Sequence, residues 1–141
     1  GGRFLTSGGL GTMGYALPAA LGAQLAAPGR QVVAVCGDGA FQMSMMELAT
    51  LGQEGLPVKL VVVKNQMLGL VREIQEDSYQ DREYAVQLGD PPHIGRIAAA
   101  YDIPYCRVDR ASQASEGIQA LLAAPGPFLL ECTVDPREKT H

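Results

Sequence analysis

Asp38 and Asn65 are the residues whose type and setting point most directly to chemistry. Each stands just past a β-branched run: Val32–Cys36 leads into Gly37-Asp38-Gly39, and Lys59–Lys64 leads into Asn65-Gln66. The stretch between them has the length and composition of one helix. Strand, turn, helix and strand return a chain to the same edge of a parallel sheet. Ligands of open parallel sheets bind in the crevice outside the carboxyl ends of the strands. A carboxylate and an amide oxygen at neighbouring strand tips suit Mg²⁺. That ion takes oxygen ligands in a tight octahedron and keeps places for phosphate oxygens and water. The main-chain carbonyl of Met67 is a candidate third ligand. Glycines on both sides of Asp38 permit a tight turn and close approach of a ligand. The N–H groups of Gly39 and Ala40 then lie where a helix start can meet an anion. The spacing points to one divalent cation holding a diphosphate. In the competing reading Asp38 only caps a helix and Asn65 only makes a turn; two such residues one βα unit apart weigh against it.

The elements that must position these residues alternate along the chain. Residues 1–12 are glycine-rich loop, with a short extended piece at Arg3–Thr6. Gly14–Ala27 reads as an almost uncharged helix, buried or packed on two sides, and Pro28-Gly29 ends it. Gln31–Cys36 is a short apolar run of the central parallel-strand kind. Ser44 and Glu47 form a capping-box pattern for a helix through Leu51 that stops near Gly55-Leu56-Pro57. Val58–Val63 is the next strand, and Leu68–Gln75 reads as helix. Gln75–Gly89 is polar and ambiguous, with Glu76–Glu83 facing solvent. After the Pro91-Pro92 break come a helix at His93–Tyr101, a strand at Tyr105–Val108 and a helix at Ser112–Ala124 capped by Ser112 or its neighbour. A strand at Phe128–Val134 is last, and the PREKTH tail reads as an unfinished edge. This is an α/β pattern: an open, mostly parallel sheet with helices on both faces. The whole of 1–141 reads as a single domain.

Composition narrows the function. Of 141 residues, 47% are hydrophobic and 18% charged, with a formal net charge of −4. That is a globular composition, without the basic patch of a nucleic-acid binder or an apolar run long enough to span a membrane. Three cysteines, an odd number with no CxxC spacing, read as free thiols in a reducing compartment, which places the protein in the cytoplasm. With two histidines, His93 and His141, a histidine-rich metal site is excluded.

The text around the two strand tips is more specific than the tips themselves. FLTSGGLGTMGYALPAALGAQLA, VVAVCGDGAFQMSMMELAT and LPVKLVVVKNQMLGLV resemble the C-terminal, thiamine-diphosphate-binding domain of acetohydroxyacid (acetolactate) synthases. These are Mg²⁺-dependent transferases of branched-chain amino-acid biosynthesis. The resemblance covers residues 4–72 closely and runs more loosely to the end. It implies that Asp38, Asn65 and the main-chain oxygen of Met67 bind Mg²⁺. Gly39, Ala40, Leu68 and Gly69 would lie along the diphosphate, with Gly37 also among the cofactor-binding residues. Gly11, Thr12 and Met13 would contact the rest of the cofactor. The Gly11 carbonyl would accept from its aminopyrimidine amine, and Met13 would wedge between its two rings. That bend brings the amine to the thiazolium C2 proton, so the cofactor deprotonates itself, a proximity effect of several kcal/mol. Two departures stand out. Lys64 replaces the first residue of the usual Asn-Asn pair, and Ile74 stands near the place of an acceptor-site tryptophan.

The resemblance also implies what this stretch lacks. The glutamate that drives pyrimidine tautomerisation belongs to a separate pyrimidine-binding domain of the same or a partner chain, and a middle domain carries FAD. These 141 residues therefore read as one domain of a longer chain, inactive alone, in a homodimer or homotetramer with a possible regulatory subunit. The parent enzyme would condense two 2-oxo acids, pyruvate as donor, with decarboxylation. The runner-up is a thiamine-diphosphate-dependent 2-oxo acid decarboxylase subunit of the sulfopyruvate or phosphonopyruvate type. A third reading is an NAD-binding Rossmann module, because Gly9-Leu-Gly11-Thr-Met-Gly14 fits GxGxxG. That pattern has meaning only between a strand and a helix.

Overall fold

Among the described residues four parallel strands form one sheet, in the spatial order Val33–Gly37, Lys59–Lys64, Phe128–Thr133, Tyr105–Val108. The computed structural model describes residues 3–89 and 92–138. Pro91 and the last residues of the tail lie outside them. Along the chain come α1 (Ala16–Ala26), β1 (Val33–Gly37), α2 (Asp38–Ser44), α3 (Glu47–Gln53), β2 (Lys59–Lys64) and α4 (Gly69–Tyr79). There follow α5 (Ile94–Ala100), β3 (Tyr105–Val108), a 3₁₀ turn (Ala111–Gln113), α6 (Ala114–Ala123) and β4 (Phe128–Thr133). Every strand read from the sequence is present within two residues of its expected limits.

Register sets the two faces. In a parallel pair, facing residues share a face, so Ala34, Leu60 and Leu129 form one row and Val35, Val61 and Leu130 the next row on the other side. The first face packs against Leu17 and Leu21 of α1, Phe41 of α2, Leu48 and Leu51 of α3, and Ile94 and Ala98 of α5. The second packs against Leu121 and Ala114 of α6. Helices therefore cover both faces, as expected. α6 lies close to the sheet because Gly117 has no Cβ: one added there would stand 2.7 Å from Val108 Cγ2. β1 is an edge strand, and Val33 and Val35 are 45% and 60% exposed.

Two local expectations are corrected. Ser44 does not open a helix; it ends α2, which begins at Asp38 directly after β1. The cap of α3 is Met46 with no side-chain cap, and Glu47 accepts from the Thr50 hydroxyl at 3.1 Å. At the entry to α6 the N-cap is Gln113, the neighbour of Ser112, as expected, although it makes no side-chain cap to the helix. The Gln113 side-chain oxygen accepts the N–H groups of Asp109 and Arg110, each at 3.1 Å. The helix after β2 runs to Tyr79, four residues beyond Gln75, and stops where Gln80 and Asp81 turn left-handed at φ +56°.

α1 buries one face only: Leu17, Ala20, Leu21 and Gln24 are buried, whereas Leu25 is exposed. It is not packed on two sides among the described residues. Pro18 falls in its first turn, where a missing N–H costs nothing. Lys59, at the start of β2, is buried, and its Nζ donates to the carbonyls of Ala124, at 2.7 Å, and Gly126. Burial pushes this ammonium below the ordinary lysine range. No helix among the described residues is long and apolar enough to cross a membrane.

Candidate functional site

Gly37 and Val63 face each other at the carboxyl ends of β1 and β2. Asp38 is therefore beside the start of the loop that follows Lys64. The contact is direct. Asp38 Oδ2 accepts the Gln66 N–H at 2.8 Å, and Oδ1 accepts the Gly39 N–H at 3.0 Å. Gln66 takes φ +59°, a left-handed conformation that an ordinary side chain adopts only where its surroundings hold it. On the far side of that turn, Asn65 Oδ1 accepts the Met67 N–H at 3.0 Å. The two strand tips thus form one hydrogen-bonded unit with Asp38 and Asn65 flanking Gln66.

The Asn65–Leu68 loop is also pinned from behind. Leu88 N–H donates to the Gln66 carbonyl at 2.9 Å, Leu68 N–H donates to the Val86 carbonyl at 2.8 Å, and Met67 bridges Gln87. From sequence alone this segment is polar and ambiguous. Its only signal was the apolar Val86 and Leu88 in an otherwise polar run.

Asp38 is 2% exposed. Burial raises its carboxyl above the ordinary carboxylate range, while the Gln66 and Gly39 N–H groups and the Lys64 charge pull the other way. Cys36, two residues earlier, has its thiol pushed up to about 12 by burial and by the Asp38 charge, so it stays a neutral filler. A buried carboxylate bonded to the turn that carries an amide side chain and main-chain carbonyls brings the donor types that suit a small hard cation. Among the described residues, no three of His, Cys, Asp and Glu come together as a metal cluster.

Two glycines keep the cradle open. A Cβ on Gly39 would stand 3.0 Å from Leu68 Cδ2 and 3.1 Å from Met13 Cε. A Cβ on Gly69, the first residue of α4, would stand 2.9 Å from Asn65 Nδ2. Met13, Gly39, Leu68, Asn65 and Gly69 are therefore gathered at one place from three separate stretches of chain. Ala40 is half-buried in the first turn of α2. Gly11 and Thr12 belong to a loop that folds on Ser7: Gly11 N–H donates to the Ser7 carbonyl at 2.8 Å and Thr12 N–H to Ser7 Oγ at 3.1 Å. Gly11 at φ +58° and Gly14 at φ +82° turn this loop into α1 and present Met13. The described residues before the loop, from Arg3 on, form no strand, so among the described residues the GxGxxG run lacks the strand that a Rossmann module requires.

The two departures noted in sequence are resolved differently. Lys64 turns to Glu131 of β4, with Nζ 3.1 Å from Oε1. Ile74 lies on α4, about half exposed, and no tryptophan stands near it because the chain has none.

Comparison with known proteins gives one consistent result. The family model described as thiamine pyrophosphate enzyme, C-terminal TPP binding domain, matches residues 1–132. The chain is 42% identical to the acetolactate synthase isozyme 2 large subunit of Escherichia coli (strain K12), over 96% of this chain and 25% of that protein. It is 45% identical to the chloroplastic acetolactate synthase 2 of Brassica napus, over 92% of this chain and 21% of that protein. It is 38% identical to the acetolactate synthase large subunit of Pyropia yezoensis, over 99% of this chain and 24% of that protein. The chain spans a quarter or less of the length of these relatives.

Proposed function

Because the chain belongs to the thiamine pyrophosphate enzymes, as their C-terminal cofactor-binding domain, we propose that it holds the diphosphate end of thiamine diphosphate through Mg²⁺ in a longer, acetolactate synthase-like protein. The observation that carries this is the joined pair of strand tips, where the Asp38 carboxylate holds the Gln66 N–H next to Asn65. Asp38, Asn65 and the Met67 carbonyl would ligate the metal. The N–H groups at Gly39 and Ala40, with Leu68 and Gly69, would line the diphosphate. Gly11, Thr12 and Met13 would meet the organic part, and Met13 already rests its methyl against Gly39.

When bound, thiamine diphosphate supplies a nucleophilic ring carbon and an electron sink for decarboxylating 2-oxo acids. This chain binds and orients. The buried Asp38 would offer its carboxylate to a dication, and its two N–H bonds fix where that group points. The apolar wall of Met13, Leu68 and Leu88 around Gly39 limits water at the cofactor. FAD, the pyrimidine-binding domain, a regulatory subunit and a dimeric or tetrameric assembly belong to the same proposal. None of them rests on residues within this chain.

Product analysis of the full-length protein given pyruvate tests the activity. Acetolactate is the expected product; acetaldehyde as the main product would replace the synthase assignment with the decarboxylase one. Met13 makes a sharper prediction. Met13→Ala in the full-length protein is expected to change cofactor affinity by less than about threefold while slowing exchange of the cofactor C2 proton by about tenfold or more. Proton NMR of quenched exchange in deuterium oxide reads this. An unchanged exchange rate removes the wedge role from Met13.

A further inference from the structure

Glu131 is 2% exposed at the middle of the sheet, on the same face and in the same row as Val62. A buried carboxylate is costly unless its charge is answered. Three side chains from two neighbouring strands converge on this one, a hydrogen bond reaching Oε2 and cations alone reaching Oε1, which has no hydrogen-bond partner among the described residues. Tyr105 Oη donates to Oε2 at 2.6 Å. Lys64 Nζ lies 3.1 Å from Oε1, and Arg107 Nε 3.8 Å from the same oxygen. Gly95 of α5 makes room for this arrangement. A Cβ there would stand 2.8 Å from Tyr105 Cε1, too close for the ring to keep its place. Lys64 is nearly buried itself, in the last paired position of β2, and is followed at once by Asn65.

We propose that Glu131 is a positioning residue for the metal site, acting through Lys64 to fix the tip of β2 and to turn a positive charge away from the cation. This rests on the cofactor-site reading above. Two physical effects combine. The Glu131–Lys64 pair ties the end of β2 to β4 one residue before the Asn65–Met67 turn, so that turn and the Gln66 N–H it presents to Asp38 keep their places. The pair also answers the Lys64 ammonium. Unanswered, that ammonium would set a second positive charge next to the place of a divalent cation, and Coulomb repulsion at such range acts strongly at low dielectric. Tyr105 and Gly95 hold the carboxylate in the orientation that does this. Sequence signals for the network are weak, because its members are scattered between residues 64 and 131.

The test uses the full-length protein and calorimetric titration of Mg²⁺ at saturating thiamine diphosphate, alongside thermal melting without ligands. Glu131→Gln is expected to weaken Mg²⁺ by about tenfold. Adding Lys64→Met to Glu131→Gln removes the stranded charge and is expected to recover affinity to within about threefold. Tyr105→Phe keeps the ring beside Gly95, is mild enough to fold, and is expected to weaken Mg²⁺ about threefold. A Glu131→Gln or Tyr105→Phe protein that melts lower but binds Mg²⁺ like the parent would make the network purely structural and overturn the proposal. So would a double variant no better than Glu131→Gln. Asp38→Ala run in parallel separates the two levels: if it leaves Mg²⁺ binding intact, the site itself is wrong. If it abolishes binding while the Glu131 variants are silent, only the role of Glu131 falls.

Discussion

Asp38→Ala in the full-length protein is expected to weaken Mg²⁺-dependent binding of thiamine diphosphate by about a hundredfold or more, equivalent to ~2.8 kcal/mol. The substitution removes the only acidic side chain at the two strand tips. It also takes the acceptor from the Gln66 N–H, so the left-handed turn at Gln66 loses the bond that joins it to β1. Asp38→Asn separates these losses. It keeps the shape and one oxygen acceptor but not the charge, and is expected to fall between parent and alanine. Calorimetric titration of cofactor with Mg²⁺, and again with chelator, makes the measurement. In the parent, chelator should reproduce most of the loss seen for alanine; in Asp38→Ala it should change little further. An alanine variant that binds as the parent does, with the same metal dependence, would dismiss the site.

The second large effect is on stability. Phe41 is fully buried in α2, three residues after Asp38, where it packs into the main core with Leu17, Leu48, Leu60 and Val62. Phe41→Ala is expected to cost about 3–5 kcal/mol, the range for removing a buried aromatic ring and leaving its cavity. Because α2 has only seven residues and no side-chain cap, tertiary packing rather than helix propensity holds it in place. The same variant should therefore also loosen the Asp38 carboxylate and reduce cofactor affinity. Urea denaturation of the full-length protein, followed by a probe in this domain, reads the first effect and calorimetry the second. A loss below roughly 1 kcal/mol would mean that α2 is held by something other than this side chain.

Strand positions and the meeting of Asp38 with the Asn65 turn were legible in the sequence. Both depend on short β-branched runs that stop at polar residues, and that pattern survives folding almost unchanged. The start of α2 was not legible, because the Ser44–Glu47 pattern resembles a cap whereas the helix begins where β1 ends and Gly37 leaves the sheet extended. Charged residues inside strands were the other blind spot. Lys59, Lys64 and Glu131 sit in KLVVVK and FLLECT, and a charge in such a run is normally given to solvent or an edge. Their partners are the Ala124 and Gly126 carbonyls for Lys59, and Glu131 for Lys64, more than sixty residues away. Local pattern carries no trace of them. Arg72 and Glu73 are hidden in the same way, buried on α4 in a stretch whose composition reads as a solvated face.

β1 pairs with β2 on one side only, and its outward valines are bare. Alternate residues of this five-residue strand turn their main-chain donors and acceptors away from β2, and with apolar side chains and no lysine or proline within the strand they make a template that a foreign strand can extend. On its own, this polypeptide would therefore tend to stack on copies of itself along that rim. Shielding of the rim by some other segment becomes a condition for staying dispersed.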